Sequence, residues 1–123
     1  MNRRHFLTIT LMFASAPLVA QGSPATAPPP NNDSLVALMR TDLRKLVTAE
    51  EAFFADSVKY TSTVGPGGLN FTVASGNTAP TIVVTADGWT ATMGNANTPT
   101  RCTIFIGSTP APPAIKEGVP KCQ

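Results

Sequence analysis

Between residues 33 and 60 apolar side chains recur at three- or four-residue steps: Leu35, Met39, Leu43, Leu46 and Phe53 form one stripe when projected at about 100° per residue. The spacing predicts a single long amphipathic helix over 33–60, with Asn32, Asp33 and Ser34 supplying capping side chains at its start. Val36, Val47, Phe54 and Val58 widen the apolar sector on one side, and Leu38 and Ala49 on the other. One sheet covers only part of so wide a sector; either loops cover the rest, or Val47, Phe54 and Val58 form a candidate docking edge for a protein partner. Glu50 projects into the stripe, where a carboxylate needs a partner or a raised pKa. Arg101 or backbone amides of the sheet are the expected partners, and the role expected for Glu50 is structural.

Beyond Tyr60 the period changes from helical to alternating. Residues 61–70 hold Val64-Gly65-Pro66-Gly67-Gly68, a loop with too many breakers for either regular element, and 69–74 form a short strand candidate. Residues 81–86 and 89–94 alternate about Asp87-Gly88, a dipeptide suited to a two-residue type I′ turn in which both positions need positive φ. That turn would set Ala86 opposite Trp89, Val84 opposite Ala91 and Ile82 opposite Met93. All six would share the face that meets the helix, with Trp89 as core anchor and Val83, Thr85, Thr90 and Thr92 on the other face. A polar loop over 94–100 then leads to a strand at 101–106 with Cys102, Ile104 and Ile106 on one face. Pro110, Pro112, Pro113 and Pro120 exclude helix and central strand from the tail, 107–123. The expected fold class is α+β: one long N-terminal amphipathic helix on a small antiparallel sheet of three to four strands, with a C-terminal disulfide loop.

The start of the chain has a different pattern. Residues 1–22 combine basic Arg3 and Arg4, an apolar run from Phe6 to Phe13 and small residues beyond, the layout of a secretory signal peptide. Arg3-Arg4 before Phe6-Leu7 also fits a twin-arginine export motif. Residues 23–32 are a proline-rich linker that favours extended backbone, and 33–123 the folded domain. Were the leader retained, its apolar stretch over 6–20 would be an anchor, though shorter than the roughly 20 residues that span a bilayer.

Export changes how the remaining composition reads. Without the leader's two arginines the domain carries seven residues of each charge, leaving no basic excess for nucleic acid. The only histidine, His5, is in the leader too, which removes the usual general base and commonest metal ligand. No phosphate-cradling glycine loop precedes a helix, and no carboxylates cluster at metal-ligand spacing. No catalytic, cofactor-binding or metal-binding residues are therefore assigned. The two cysteines, Cys102 and Cys122, are expected to form a disulfide that ties the tail back to the strand at 101–106.

The order of these parts resembles the globular domain of bacterial type IV pilins and type II secretion pseudopilins. The residues that carry the resemblance are Ala49-Glu50-Glu51-Ala52-Phe53-Phe54 at the end of the helix, Lys59-Tyr60-Thr61, Gly88-Trp89-Thr90, Cys102-Thr103-Ile104-Phe105-Ile106-Gly107 and Glu117-Gly118-Val119-Pro120-Lys121-Cys122. The usual prepilin leader and hydrophobic N-terminal half-helix are missing: His5 stands before Phe6 where prepilins place glycine, and Pro17 interrupts the apolar run. The resemblance implies the fold and a role in protein contacts within a pilus- or secretion-system-like assembly of the periplasm or cell surface. The expected function is that of an exported, non-catalytic accessory subunit. The alternative is a membrane-anchored periplasmic subunit with the leader kept, in contact with the membrane; a small-ligand binder or enzyme is the weaker third.

Overall fold

A computed structural model of the chain describes Gly22 and residues 26–123. The signal peptide apart from Gly22, including Arg3 and Arg4, and the first residues of the linker lie outside the described residues. Residues 26–31 are exposed and form neither helix nor strand.

One helix, α1 (Asn32–Ser57), runs for 26 residues. It begins after 31 residues rather than at the N-terminus, and its cap is Asn31, one residue ahead of the expected set. Asn31 Oδ1 accepts the Ser34 N–H at 2.9 Å, and Ser34 Oγ donates back to the Asn31 carbonyl at 2.8 Å. Leu35, Met39, Leu43 and Leu46 are all buried, as their spacing requires, and Phe53 is half-buried against the same core. The helix ends short of Tyr60. Val58 adopts a left-handed φ of 55° and donates its N–H to the Phe54 carbonyl at 2.7 Å, closing the last turn.

The sheet has four antiparallel strands in the order β1 (Thr81–Val84), β2 (Trp89–Asn95), β3 (Thr98–Ile106) and β4 (Lys121–Cys122). The fold is thus α+β, with α1 packed on β2 and β3. Trp89, Ala91, Met93, Cys102 and Ile104 form the floor under the helix, joined by Ile82 from β1. Burying this set supplies most of the folding drive, at about 25 cal/mol per Å² of apolar surface.

The β1–β2 connection differs from the expected turn. Thr81 pairs with Thr92, Ile82 with Ala91, Val83 with Thr90 and Val84 with Trp89, so four residues, 85–88, make the loop. Each strand keeps its faces, because the register moves by two, but Ala86 lies exposed in the loop instead of facing Trp89. Neither Asp87 nor Gly88 has positive φ. Gly88 is required for a different reason: a Cβ there would sit 1.9 Å from the Ile106 carbonyl oxygen. Asp87 Oδ2 accepts the Ser108 N–H at 2.9 Å, so both turn residues serve β3 and the segment leaving it.

Two further expectations are corrected. Residues 69–74 are not a strand: apart from a bridge between Val64 and Leu69 they are irregular, with Leu69 buried and Phe71 and Val73 half-buried against the core. The polar loop at 94–100 is mostly hairpin, since β2 reaches Asn95 and β3 begins at Thr98. Pro99 is accommodated because the register shifts at Gly94/Asn95, where Gly94 pairs with Arg101 and Asn95 with Thr98.

Candidate functional site

The end of α1, the residues after it and the β1–β2 loop enclose a groove of about 380 Å³. Its apolar wall is Phe54, Val58, Tyr60 and Val84, and Lys59 and Asp87 are the charges along it. Phe54 is 37% exposed, Val58 77% and Val84 43%, so the wall is open to solvent. The left-handed turn at Val58 reverses the chain and brings the Tyr60 ring to 4.7 Å from that of Phe54, tilted by 33°. Tyr60 Oη donates to Glu51 Oε1 at 3.2 Å, fixing the ring from its far end. Partial burial, and then that bond to Glu51, raise the Tyr60 pKa, so the phenol stays a neutral donor.

Of the three residues expected to form a docking edge, Phe54 and Val58 come together here. Val47 does not join them: it is half-buried against the core. Val84 takes its place, although strand alternation predicts it on the face under the helix. No local signal marks it: alternation puts Val84 on the same face as buried Ile82, and only the observed pairing of β1, which ends at Val84, sets it beside the end of α1.

Behind the groove lies Glu50, wholly buried. Arg101 is exposed and bonds through its backbone to Gln123, so it is not the partner of this carboxylate. Nor is a sheet amide; the Thr61 N–H donates to Glu50 Oε2 at 3.2 Å from the segment just after the helix. Burial pushes the Glu50 pKa up, the Thr61 bond opposes that, and the neighbouring Glu51 carboxylate adds to the rise. Glu50 thereby ties down the segment that carries Tyr60.

A second buried carboxylate, Asp42, went unremarked in the sequence. Its Oδ2 accepts the Ala74 N–H at 2.6 Å and the Asn77 Nδ2–H at 2.7 Å, while Lys45 pairs with Oδ1 at 3.3 Å. Asn95 Nδ2 donates onward to Asn77 Oδ1 at 2.8 Å, and the Asn97 N–H to Asn95 Oδ1 at 2.9 Å. The chain of bonds locks the 61–80 connection against the helix and the tip of the β2–β3 hairpin. The available signal was position: Asp42 falls three residues after Met39 and four before Leu46, inside the apolar stripe.

A second groove, of about 590 Å³, runs between α1 and residues 68–72, with Lys45 and Asp56 among its lining. Among the described residues, no group of three His, Cys, Asp or Glu side chains is placed to hold a metal ion, and no cysteine is free. Cys102 and Cys122 are bonded to each other across the β3–β4 pair. No helix among the described residues is long and apolar enough to cross a membrane. No protein-family model, no curated protein and no solved structure matches the chain.

Proposed function

We propose that the protein is an exported, non-catalytic, pilin-like module that works by holding another protein of the cell envelope or of a filament-like assembly. The observation that carries this reading is the groove in which Phe54, Val58 and Val84 remain exposed beside the ring of Tyr60. Exposed apolar side chains gathered in one concave place supply binding energy when a partner covers them, and an aromatic pair at the centre is the usual anchor. The α+β layout, with one helix among the described residues and a C-terminal disulfide, is compatible with a pilin-like domain, which supports the class of role. Twin-arginine export, signal cleavage and placement in the periplasm or at the surface belong to the same proposal.

The test is crosslinking in intact envelopes followed by purification of the protein and what is joined to it. Wild-type protein is expected to carry a discrete partner, and Phe54→Asp to lose it while its melting temperature stays within a few degrees, because Phe54 is on the surface. Wild-type protein joined to nothing in crosslinked envelopes would overturn the proposal.

A further inference from the structure

We infer that β1 pairs edge to edge with β1 of a second copy of this chain, joining two four-stranded sheets into one of eight strands about a two-fold axis at Val83. The inference goes beyond the groove reading and stands on the backbone of the sheet edge. Within the hairpin, the Thr85 N–H donates to the Gly88 carbonyl at 2.9 Å. Ladder alternation then directs the backbone groups of Val83 and Thr81 towards β2, and those of Ile82 and Val84 away from it. Ile82 and Val84 make no hydrogen bond to any other segment among the described residues. The unpaired edge is therefore two residues flanking a single central one.

That arrangement is self-complementary. With Val83 opposite its own copy, Ile82 exchanges both backbone bonds with Val84 of the second copy, and Val84 with Ile82, making four bonds. The sequence favours this partner over a charged or polar strand. Residues 79–86, Ala-Pro-Thr-Ile-Val-Val-Thr-Ala, carry no charge, so nothing repels across the axis, and Asp87 falls opposite the uncharged Ala79. Thr81, Val83 and Val84 are exposed, and Val83 is 57% so, giving a β-branched side chain to meet its equivalent on the axis. No charge or bulge occurs in β1, and Pro80 stands just before it, outside the residues that would pair across the axis. The opposite edge is different: β4 has two residues, one of them an exposed lysine, Lys121. Pairing at β1 thus uses the apolar edge and closes as a dimer instead of propagating. A four-residue edge buries less than the roughly 1,200 Å² of a standard interface, so the dimer belongs to the weak, concentration-dependent class.

Sedimentation velocity of the exported protein over a range of concentrations tests this, with Val83→Lys and Val83→Cys as variants. Wild type is expected to pass from monomer to dimer as concentration rises. Val83→Lys places two like charges on the axis and is expected to remain monomeric with an unchanged melting temperature. Val83→Cys brings two thiols to the spacing of a closely opposed antiparallel pair and is expected to give a disulfide-linked dimer on mild oxidation, whereas Val84→Cys gives none. Wild type that stays monomeric up to about 1 mM, far above what a weak interface needs, overturns the inference; so does a dimer that survives Val83→Lys. Val83 lies on the face away from the groove, so loss of the dimer with retention of the crosslinked envelope partner separates the two readings.

Discussion

Glu50 is where the domain's polar chemistry is most exposed to test. Its pKa in the folded state is raised above 4.5, so in the window between that value and the folded pKa the folded chain holds the proton that the unfolded chain has released. The contribution of Glu50 is full below pH 4.5 and is lost as pH rises through the folded pKa. Asp87 acts with the opposite sign: hydrogen bonds from Ser108 lower its pKa below 3.8, so its contribution is present at neutral pH and lost on acidification. Comparing melting curves of wild type and Glu50→Gln isolates the first effect, because glutamine still accepts the Thr61 N–H but cannot ionise. The variant is expected to match wild type below pH 4.5, to exceed it increasingly as pH rises through the folded pKa, and to keep a constant margin above it. A difference independent of pH would show that the buried carboxylate does not titrate in this way.

At the scale of elements, the helix was legible and the turns were not. A stripe such as Leu35, Met39, Leu43 and Leu46 needs only one surface to bury against, so local spacing reveals it. The Asp87-Gly88 turn failed as a local signal because both residues answer to distant partners, Ser108 for Asp87 and the Ile106 carbonyl for Gly88. The same holds for Asn77 and Asn95, which look like loop residues until the bonds from Asn77 to Asp42 and from Asn95 to Asn77 tie the 61–80 connection to the tip of the β2–β3 hairpin. The groove was half legible: Phe54 and Val58 stood out on the helix period, while Val84 required the true length of β1. The helix terminus itself gives a prediction. Val58 is a β-branched residue at φ 55°, a conformation that costs about 1–2 kcal/mol and that glycine adopts freely. Val58→Gly is therefore expected to stabilise the fold by about 1 kcal/mol in urea unfolding while removing apolar surface from the groove. A loss of stability would mean that Val58 holds the fold through contacts other than its backbone turn.

For the molecule as a whole, one disulfide anchors the irregular tail. The bond between Cys102 and Cys122, 20 residues apart, holds β4 on the sheet edge, where Arg101 and Gln123 exchange backbone bonds at 2.8 and 3.0 Å. Closing a loop of that length contributes about 3 kcal/mol in the loop-entropy picture. Replacing both cysteines by serine is expected to lower unfolding free energy by about that amount and to make residues 107–123 the first to exchange amide protons. Unchanged exchange there would show that the tail is held by packing alone. The fold class and this pairing could be read from two cysteines and one change of hydrophobic period; the sheet register depended on contacts far apart in sequence.

The groove beside Phe54 is proposed to be where this protein meets another. A photo-crosslinking amino acid at position 58 in living cells addresses it, with the same group at Thr41 on an exposed face of α1 as control. A discrete adduct with a different envelope protein is expected from position 58 and none from position 41. No adduct from position 58, or the same adducts from both, would contradict it.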